Sequence, residues 1–348
     1  MEILLTLVTS IIVFGMLVFF HEFGHFIFAK LSDIKVNEFS LGFGPQILKI
    51  KLKETEYFIR ALPFGGYVKM EGEDSETTDP RAFNNKPALV RMGVVLAGPI
   101  MNFLLAVLLL AIISFSSGIA TTSVTVIPGE PAEQAGIRNG DQIYAINNEK
   151  VNSWDEIVDI ISNKPYEEIN ITVLRNGDFI SYKVNTAAEP QTQRGIIGIK
   201  TVVVKHSLSK SLGFGVEKTF WISKMILVGL SQMITGQAKV DVVGPVGMFQ
   251  IVGEAAKVSI FQLLYIAALI SINLGLFNLF PIPALDGGRA IFLLLELLRG
   301  KSIDQEKEGL IHFIGFALLM FLMIVVLFKD IKELDLINLM KQFWLKMQ

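Results

Sequence analysis

Four long stretches of the chain are apolar and contain no Asp, Glu, Lys or Arg. They comprise residues 3–20, 92 to about 115, 258–285 and 309–328. A helix needs about 20 apolar residues to cross the hydrocarbon core of a bilayer, so each stretch predicts a transmembrane helix. The sequence therefore predicts a polytopic α-helical membrane protein with about four spans.

The distribution of basic residues predicts the orientation of these spans. Residues 30–91 carry ten Lys and Arg residues, and the loop after the third stretch carries Arg289, Arg299, Lys301 and Lys307. Loops rich in Lys and Arg remain in the cytoplasm, so both loops are predicted to be cytoplasmic. A shorter stretch, residues 218–236, is interrupted by Lys224 and predicts an amphipathic helix at the membrane interface.

The segments between the spans have patterns of their own. Residues 35–70 include LKIKLK, which alternates apolar and basic residues, and YFIRALPFGGYVKM, which is rich in aromatic and aliphatic strand formers. Together they predict a membrane-associated β-hairpin or small sheet on the cytoplasmic side. Residues 121–188 have the composition of a small soluble domain, and the preceding span places this domain outside the cytoplasm. We therefore divide the chain into residues 1–120 and 258–348, which form two membrane halves, the soluble domain 121–188, and a linker 189–257.

Composition narrows the possible functions. The chain is 51% hydrophobic and only 18% charged, which is not typical of a soluble enzyme. Its net charge of −2 offers no basic surplus for phosphate groups, so we expect no nucleic-acid partner. Cysteine is absent, which excludes thiolate catalysis and leaves His, Asp and Glu as the expected metal ligands.

The end of the first span has a sequence pattern that is typical of a metal site. His21 and His25 are four residues apart, so on a helix both imidazoles face the same side and can bind one zinc ion. Glu22 lies between them and is the candidate catalytic base. Ionisable groups in a span are costly, which favours function over two histidines that merely lie at a helix end.

A zinc hydrolase requires a third protein ligand. Asp286 is the acidic residue attached to an otherwise uncharged span, and it follows Pro281 and Pro283 in NLFPIPALDGG. The prolines end the helix there, so the carboxylate can point inward. With four spans, Asp286 and His21 lie in the same leaflet. Sequence reasoning therefore predicts a Zn²⁺ site made by His21, His25 and Asp286, near the cytoplasmic side.

The soluble segment resembles a PDZ domain. Ala135-Gly136-Ile137, Gly140-Asp141 and Ile146-Asn147 lie where bacterial PDZ domains have the same pattern. The resemblance implies a groove that accepts an extended peptide or a C-terminus as an added strand. A PDZ fold that acts only as a steric plug remains an equal alternative.

The whole chain is similar to the bacterial site-2 protease family of intramembrane zinc metalloproteases. The similarity rests on HEFGH in the first span, GPIMN in the second, the PDZ-like segment, GPVG at residues 244–247 and NLFPIPALDGG in the third span. It implies zinc ligation by His21, His25 and Asp286, with Glu22 as general base. It also implies that Asn273 and Asn278 hold the substrate strand, and that a sheet including Gly42 and Gly44 presents it.

The favoured hypothesis is an intramembrane zinc endopeptidase of the bacterial cell membrane. It would cut transmembrane segments of single-span proteins, such as anti-sigma factors or signal-peptide remnants, after these have been trimmed outside. The PDZ-like domain and the interfacial helix would act as a size filter. Two alternatives remain open. One is a metal-binding transporter, because intramembrane His and Asp also mark ion paths. The other is a peptide-binding membrane adaptor with a vestigial metal site.

Overall fold

The computed structural model describes residues 2–73, 77–190, 192–237, 243–301 and 304–333. The helices are α1 Glu2–Leu31, α2 Ala88–Ser117, α3 Pro131–Gln134, α4 Trp154–Ser162, α5 Leu208–Ile234, α6 Pro245–Val258, α7 Ile260–Leu279, α8 Asp286–Arg299 and α9 Gln305–Glu333. The strands are β1 Val36–Leu52, β2 Thr55–Met70, β3 Ile119–Val126, β4 Gln142–Ile146, β5 Glu149–Lys150, β6 Glu168–Arg175, β7 Asp178–Asn185, β8 Ala187–Ala188, β9 Gly195–Ile196 and β10 Ile199–Val204.

The chain forms two compact units. The first contains the described residues of Met1–Ile113 and Leu212–Gln348, and the second is Ser114–Ser211. The second unit is longer than the segment 121–188 because β10 pairs antiparallel with β3 and so belongs to the same sheet. Residues 334–348, which we assigned to the second membrane half, lie outside the described residues.

Four helices of the described chain are long and apolar enough to cross a membrane. The qualifying segments are Leu4–Leu31, Ala88–Ser117, Ile260–Leu279 and Glu306–Asp330. On α9 the large apolar side chains are mostly exposed, Phe313 and Phe321 among them, as expected for a surface that faces lipid. These helices agree with the predicted membrane protein of about four spans.

Two predicted helices have different bounds in the structure. The apolar stretch 258–285 is divided, because α7 ends at Leu279 and α8 begins at Asp286. Pro281 and Pro283 lack the backbone N–H that a continuous helix would use. The helix expected over 218–236 begins ten residues earlier, at Leu208, and α5 is not among the four segments with the length and hydropathy of a span.

The predicted sheet over residues 35–70 is present, with a more complex pairing than a hairpin. Residues 38–41 of β1 pair on one side with residues 56–59 and on the other with residues 66–69. The C-terminal part of β1, residues 46–52, pairs with residues 55–60. The segment 66–70 therefore lies at one edge of this sheet, with β1 as its only strand partner among the described residues.

The second unit is a sheet with one helix packed over it. The strand order is β10-β3-β4-β6-β7, and β5 adds to β4. Strands β6 and β7 form a hairpin, and Asn176 and Gly177 both have positive φ at its tip, as a two-residue turn requires. The amphipathic helix α4 packs on this sheet and contributes Ile157 and Ile161 to a core of thirteen buried apolar residues.

Candidate metal centre

The structure brings the two histidines of α1 and one aspartate of α8 together. The Nε2 atoms of His21 and His25 are 3.3 Å apart. Asp286 Oδ2 lies 3.2 Å from His21 Nε2 and 3.5 Å from His25 Nε2. Helical spacing of i and i+4 accounts for the histidine pair, whereas the aspartate comes from a helix more than 250 residues away in the sequence.

A short connection positions Asp286. The C-cap of α7 is Phe280, and Asp286 is the first residue of α8, so its carboxylate lies at a helix N-terminus. Ala284 in this connection has a φ of 78°. Its backbone N–H donates to His312 Nδ1 of α9 at 2.8 Å, and this bond fastens the connection to the last span. His312 therefore supports the aspartate from outside the site.

Glycines allow α1 and α2 to approach closely at the histidines. A Cβ atom at Gly98 would lie 2.2 Å from His25 Nε2, and one at Gly24 would lie 2.3 Å from the carbonyl oxygen of Ala97. Neither position could hold a larger residue at this separation. Gly24 of HEFGH and Gly98 of GPIMN thus allow α1 and α2 to cross closely beside the site.

Both imidazoles are oriented through their second nitrogen. His25 Nδ1 lies 2.9 Å from the carbonyl oxygen of Val94, to which a protonated Nδ1 donates. The side-chain amide of Asn102 lies 3.0 Å from His21 Nδ1, and Asn102 is fully buried. An amide presents either its nitrogen or its oxygen by rotating about its last bond, so Asn102 can accept this proton. Protons on both Nδ1 atoms leave both Nε2 lone pairs free for a metal.

The geometry fits a zinc ion. Four ligands at the usual Zn–N and Zn–O bond lengths lie about 3.3 Å from one another at the corners of a tetrahedron. The three separations of 3.2, 3.3 and 3.5 Å have this size. Asp286 Oδ2 is buried and has no hydrogen-bond partner, so a cation would satisfy it. Within the described residues this is the one group of three His, Asp or Glu side chains arranged to hold a metal.

A cavity of about 220 Å³ adjoins the three side chains and contains Glu22. The edge segment of the sheet also lines it, with Gly66, Tyr67, Val68 and Met70 among the lining residues. A Cβ atom at Gly66 would lie 2.9 Å from Glu22 Cγ, so the strand backbone passes directly over the glutamate. The cavity thus borders both the sheet edge and the candidate base.

Charged side chains continue from this cavity into a second one. Glu73 and Arg289 form an ion pair and line both spaces. The second cavity has a volume of about 400 Å³ and is also lined by Arg91, Glu308 and His312. Polar lining of this kind allows water to reach a site on membrane-spanning helices.

The other sequence-predicted residues are not part of this cavity lining. Asn273 is on α7 and donates its amide to the carbonyl oxygen of Leu269, while Asn278 is near the end of the same helix. Gly42 and Gly44 lie on β1, where Gly42 packs against the backbone of Leu62. The lining strand is the neighbouring segment 66–70. Sequence reasoning missed Asn102 as a histidine partner, although GPIMN marked its position.

Over most of its length the chain is similar to known metalloproteases. The sequence pattern of peptidase family M50 matches residues 9–322. A protein assigned as a zinc metalloprotease in Clostridium acetobutylicum is 43% identical over 93% of this chain and 97% of its own length. The regulator of sigma-W protease RasP of Bacillus subtilis is 33% identical over 95% of this chain and 99% of RasP.

Among solved structures, the PDZ domain of an SdrC-like protein of Listeria monocytogenes is similar to 24% of this chain. The match covers 87% of that domain, with 23% identity and a TM-score of 0.22. The family match extends over most of the chain, through both histidines and the aspartate. The chain therefore belongs to peptidase family M50, the site-2 protease family of intramembrane zinc metalloproteases.

Proposed function

We propose that His21, His25 and Asp286 are the zinc ligands of this peptidase and that Glu22 is its general base. One observation supports this proposal above all. The three ligand atoms lie within 4.8 Å of one another, and their side chains line the same cavity as Glu22. A transporter or an adaptor would have no need of a glutamate placed between the ligands. The three proposed ligands together with Glu22 therefore favour a peptidase over a transporter or an adaptor.

The residues have distinct tasks in peptide-bond hydrolysis. Bound zinc supplies Lewis acidity, which polarises the scissile carbonyl and makes water a stronger nucleophile. Glu22 accepts the proton from the attacking water and returns it to the leaving amine. The carbonyl oxygen of Val94 and the amide of Asn102 hold the imidazoles in the orientation that this requires.

We propose a transmembrane segment as the substrate, bound as an extended strand on residues 66–70. The amides of a membrane helix are hidden in intrahelical hydrogen bonds, so the helix must unwind before its carbonyl carbons can be attacked. An edge strand offers replacement hydrogen bonds to the unwound chain. The segment 66–70 has this property, because β1 occupies only one of its sides and the cavity lies beside it.

The proposed substrates are single-span membrane proteins whose outer domains have already been removed. The name of RasP describes that protein as a regulator of sigma-W, which supports a membrane-anchored anti-sigma factor as one substrate of this class. Asn273 and Asn278 of α7, together with β1 around Gly42 and Gly44, remain our proposed contacts for parts of the substrate beyond the cavity.

We also propose an orientation in the bacterial cell membrane. The ten Lys and Arg residues of 30–91 support a cytoplasmic position for the sheet, for the end of α1 that carries the histidines and for the start of α8 that carries Asp286. The unit Ser114–Ser211, whose sheet and helix are compatible with a PDZ domain, would then be outside. Labelling of single introduced cysteines is straightforward in this cysteine-free chain and tests the orientation.

A cleavage assay tests the proposed activity. Purified chain with zinc is incubated in detergent with transmembrane peptides, and mass spectrometry identifies the cut positions. We expect cuts inside the apolar segment that a chelator abolishes and that Glu22→Gln does not produce. Cuts only outside apolar segments, or cuts that persist in Glu22→Gln, would contradict the proposal.

A further inference from the structure

The edge segment of the sheet leads from the metal centre to the second cavity. The backbone N–H of Met70, the last residue of β2, donates to Glu73 Oε2 at 3.3 Å. Four residues line both cavities, namely Glu73, Phe83, Val95 and Arg289. The volume of about 400 Å³ lies within the usual range of ligand sites in proteins. A chain that is bound along 66–70 therefore has space to continue past Met70.

The lining of the second cavity includes one carboxylate without a basic partner. Two arginines line the cavity, and each forms an ion pair with a glutamate. Arg289 pairs with Glu73, and Arg91 pairs with Glu296. Glu308 of α9 also lines the cavity, and no Lys or Arg in the described ranges forms an ion pair with it. Because each arginine is balanced by its partner, the cavity keeps the negative charge of Glu308.

The neighbouring histidine does not neutralise this carboxylate. His312 Nε2 lies 3.8 Å from Glu308 Oε1, which is longer than a hydrogen bond. His312 Nδ1 accepts a hydrogen bond from the N–H of Ala284. A ring that accepts at one nitrogen is not protonated at both, so this imidazole has no charge. The side chain of Glu308 is 32% exposed, and its carboxylate is therefore available to a cation that enters the cavity.

Membrane-protein substrates have a matching charge on this side. The orientation proposed above places the second cavity at the cytoplasmic side, where α9 begins after the loop that carries Arg299 and Lys301. The cytoplasmic ends of membrane spans are rich in Lys and Arg. We infer that the second cavity binds the cytoplasmic flank of the substrate, and that Glu308 selects a Lys or Arg at one position of this flank. The inference rests on the proposed peptidase function and adds a specificity residue to it.

A series of transmembrane peptides tests this inference on the full chain with zinc. Each peptide has the same apolar segment and a neutral cytoplasmic flank that carries a single Lys. The Lys is moved along the flank one position at a time, and matched peptides carry Gln or Glu in its place. Uncharged maltoside micelles add no electrostatic attraction of their own. Mass spectrometry identifies the cut position, and initial rates give kcat and KM for each peptide.

We expect Lys at one or two adjacent positions to lower KM about fivefold relative to Gln, with kcat unchanged, because a partly exposed ion pair contributes binding of this size. Glu308→Gln should remove the preference for Lys, and Glu308→Lys should reverse it in favour of Glu. Glu306→Gln is the matched control. Glu306 is an exposed residue in the same first turn of α9, it does not line the cavity, and its variant should keep the preference.

Peptide binding to the inactive Glu22→Gln chain separates this inference from the proposed function. Fluorescence anisotropy measures Kd for labelled peptides with Lys or Gln. If no peptide is cut but Glu22→Gln prefers the Lys peptide and the added Glu308→Gln abolishes this preference, the cavity is a binding site and the peptidase proposal fails. Equal KM and Kd for the Lys and Gln peptides on chains with Glu308 would overturn the inference. So would an equal preference for Lys at every position, or one that persists in Glu308→Gln.

Discussion

His312 accepts a hydrogen bond from the backbone N–H of Ala284 at 2.8 Å, two residues before Asp286. The bond ties the connection between α7 and α8 to the last membrane-spanning helix, so the position of the aspartate depends on α9. We expect His312→Leu to weaken zinc binding about tenfold, as the loss of a supporting partner outside a metal shell commonly does. Titration with a fluorescent zinc chelator measures this affinity.

Two further variants make the His312 result specific. His312→Gln keeps a side-chain acceptor for the Ala284 N–H, so its zinc affinity should lie closer to that of the unmodified chain. Phe313→Leu changes the neighbouring residue on α9, which is 66% exposed, and should have no effect on zinc. Equal zinc affinity of His312→Leu and the unmodified chain would show that Asp286 is positioned without this bond.

The backbone of Gly66 passes close to the side chain of Glu22. A methyl group there would lie 2.7 Å from the carbonyl oxygen of Ser40 and 2.9 Å from Glu22 Cγ, so the strand or the glutamate must move. We expect Gly66→Ala to lower the rate of peptide cleavage by at least about tenfold, since small displacements of catalytic groups are costly. Zinc content should be unchanged, because none of the three proposed ligands contacts this position directly.

Gly213→Ala is the matched control for Gly66→Ala. It lies on α5, where no atom approaches a Cβ within 4 Å, and it should retain full activity. The measurement is the initial rate of cleavage with zinc quantified on the same sample. Full activity of Gly66→Ala would mean that the sheet edge is not part of the reaction site.

Asp141 is a buried carboxylate that forms an ion pair in the second unit. Its side chain is 1% exposed and accepts hydrogen bonds from the Arg175 guanidinium and from the backbone N–H of Arg138. Removing one partner of a buried ion pair is costly, so we expect Asp141→Asn to destabilise this unit by about 3 kcal/mol. Glu168→Gln breaks the exposed pair with Lys183 and should cost less than about 1 kcal/mol. Hydrogen exchange of amides in Ser114–Ser211 reports both values.

The same aspartate predicts how this unit responds to pH. Burial raises the pKa of Asp141, but the hydrogen bonds and charge of Arg175 and the Arg138 N–H outweigh burial and leave the pKa below its usual value. The stabilisation is therefore present above the unfolded pKa of about 3.9 and is lost as the pH falls through the lower folded value. Protection from exchange should decline below about pH 4, and Asp141→Asn should remove most of this dependence. An identical pH profile in the variant would contradict the assignment.

Local sequence patterns predicted those features of the site that depend on residues close together in the chain. The four-residue spacing of His21 and His25 places both on one side of a helix, and the closely spaced Pro281 and Pro283 predict the end of α7 before Asp286. The supporting contacts could not be predicted in this way. Asn102 lies in a uniformly apolar span, where periodicity does not show which side faces α1.

Long-range strand pairing limited the remaining predictions. Strand-forming residues mark strands over 35–70, but the double pairing of residues 38–41 depends on contacts between distant segments. This pairing makes 66–70 the sheet edge beside the metal centre. For the same reason the sequence segment 121–188 ended before β10. Its pairing of Thr201 with Val124 joins residues 77 positions apart, a distance that no local turn signal spans.

Zinc content measured together with cleavage tests the proposed metal centre most directly. Glu22→Gln, Asp286→Ala and Asp304→Ala are purified identically, zinc is quantified by mass spectrometry, and cleavage of one transmembrane peptide is followed. We predict about one zinc per chain without activity for Glu22→Gln, loss of both zinc and activity for Asp286→Ala, and retention of both for Asp304→Ala. Loss of zinc in Glu22→Gln, or tight zinc binding in Asp286→Ala, would contradict the roles assigned to these residues.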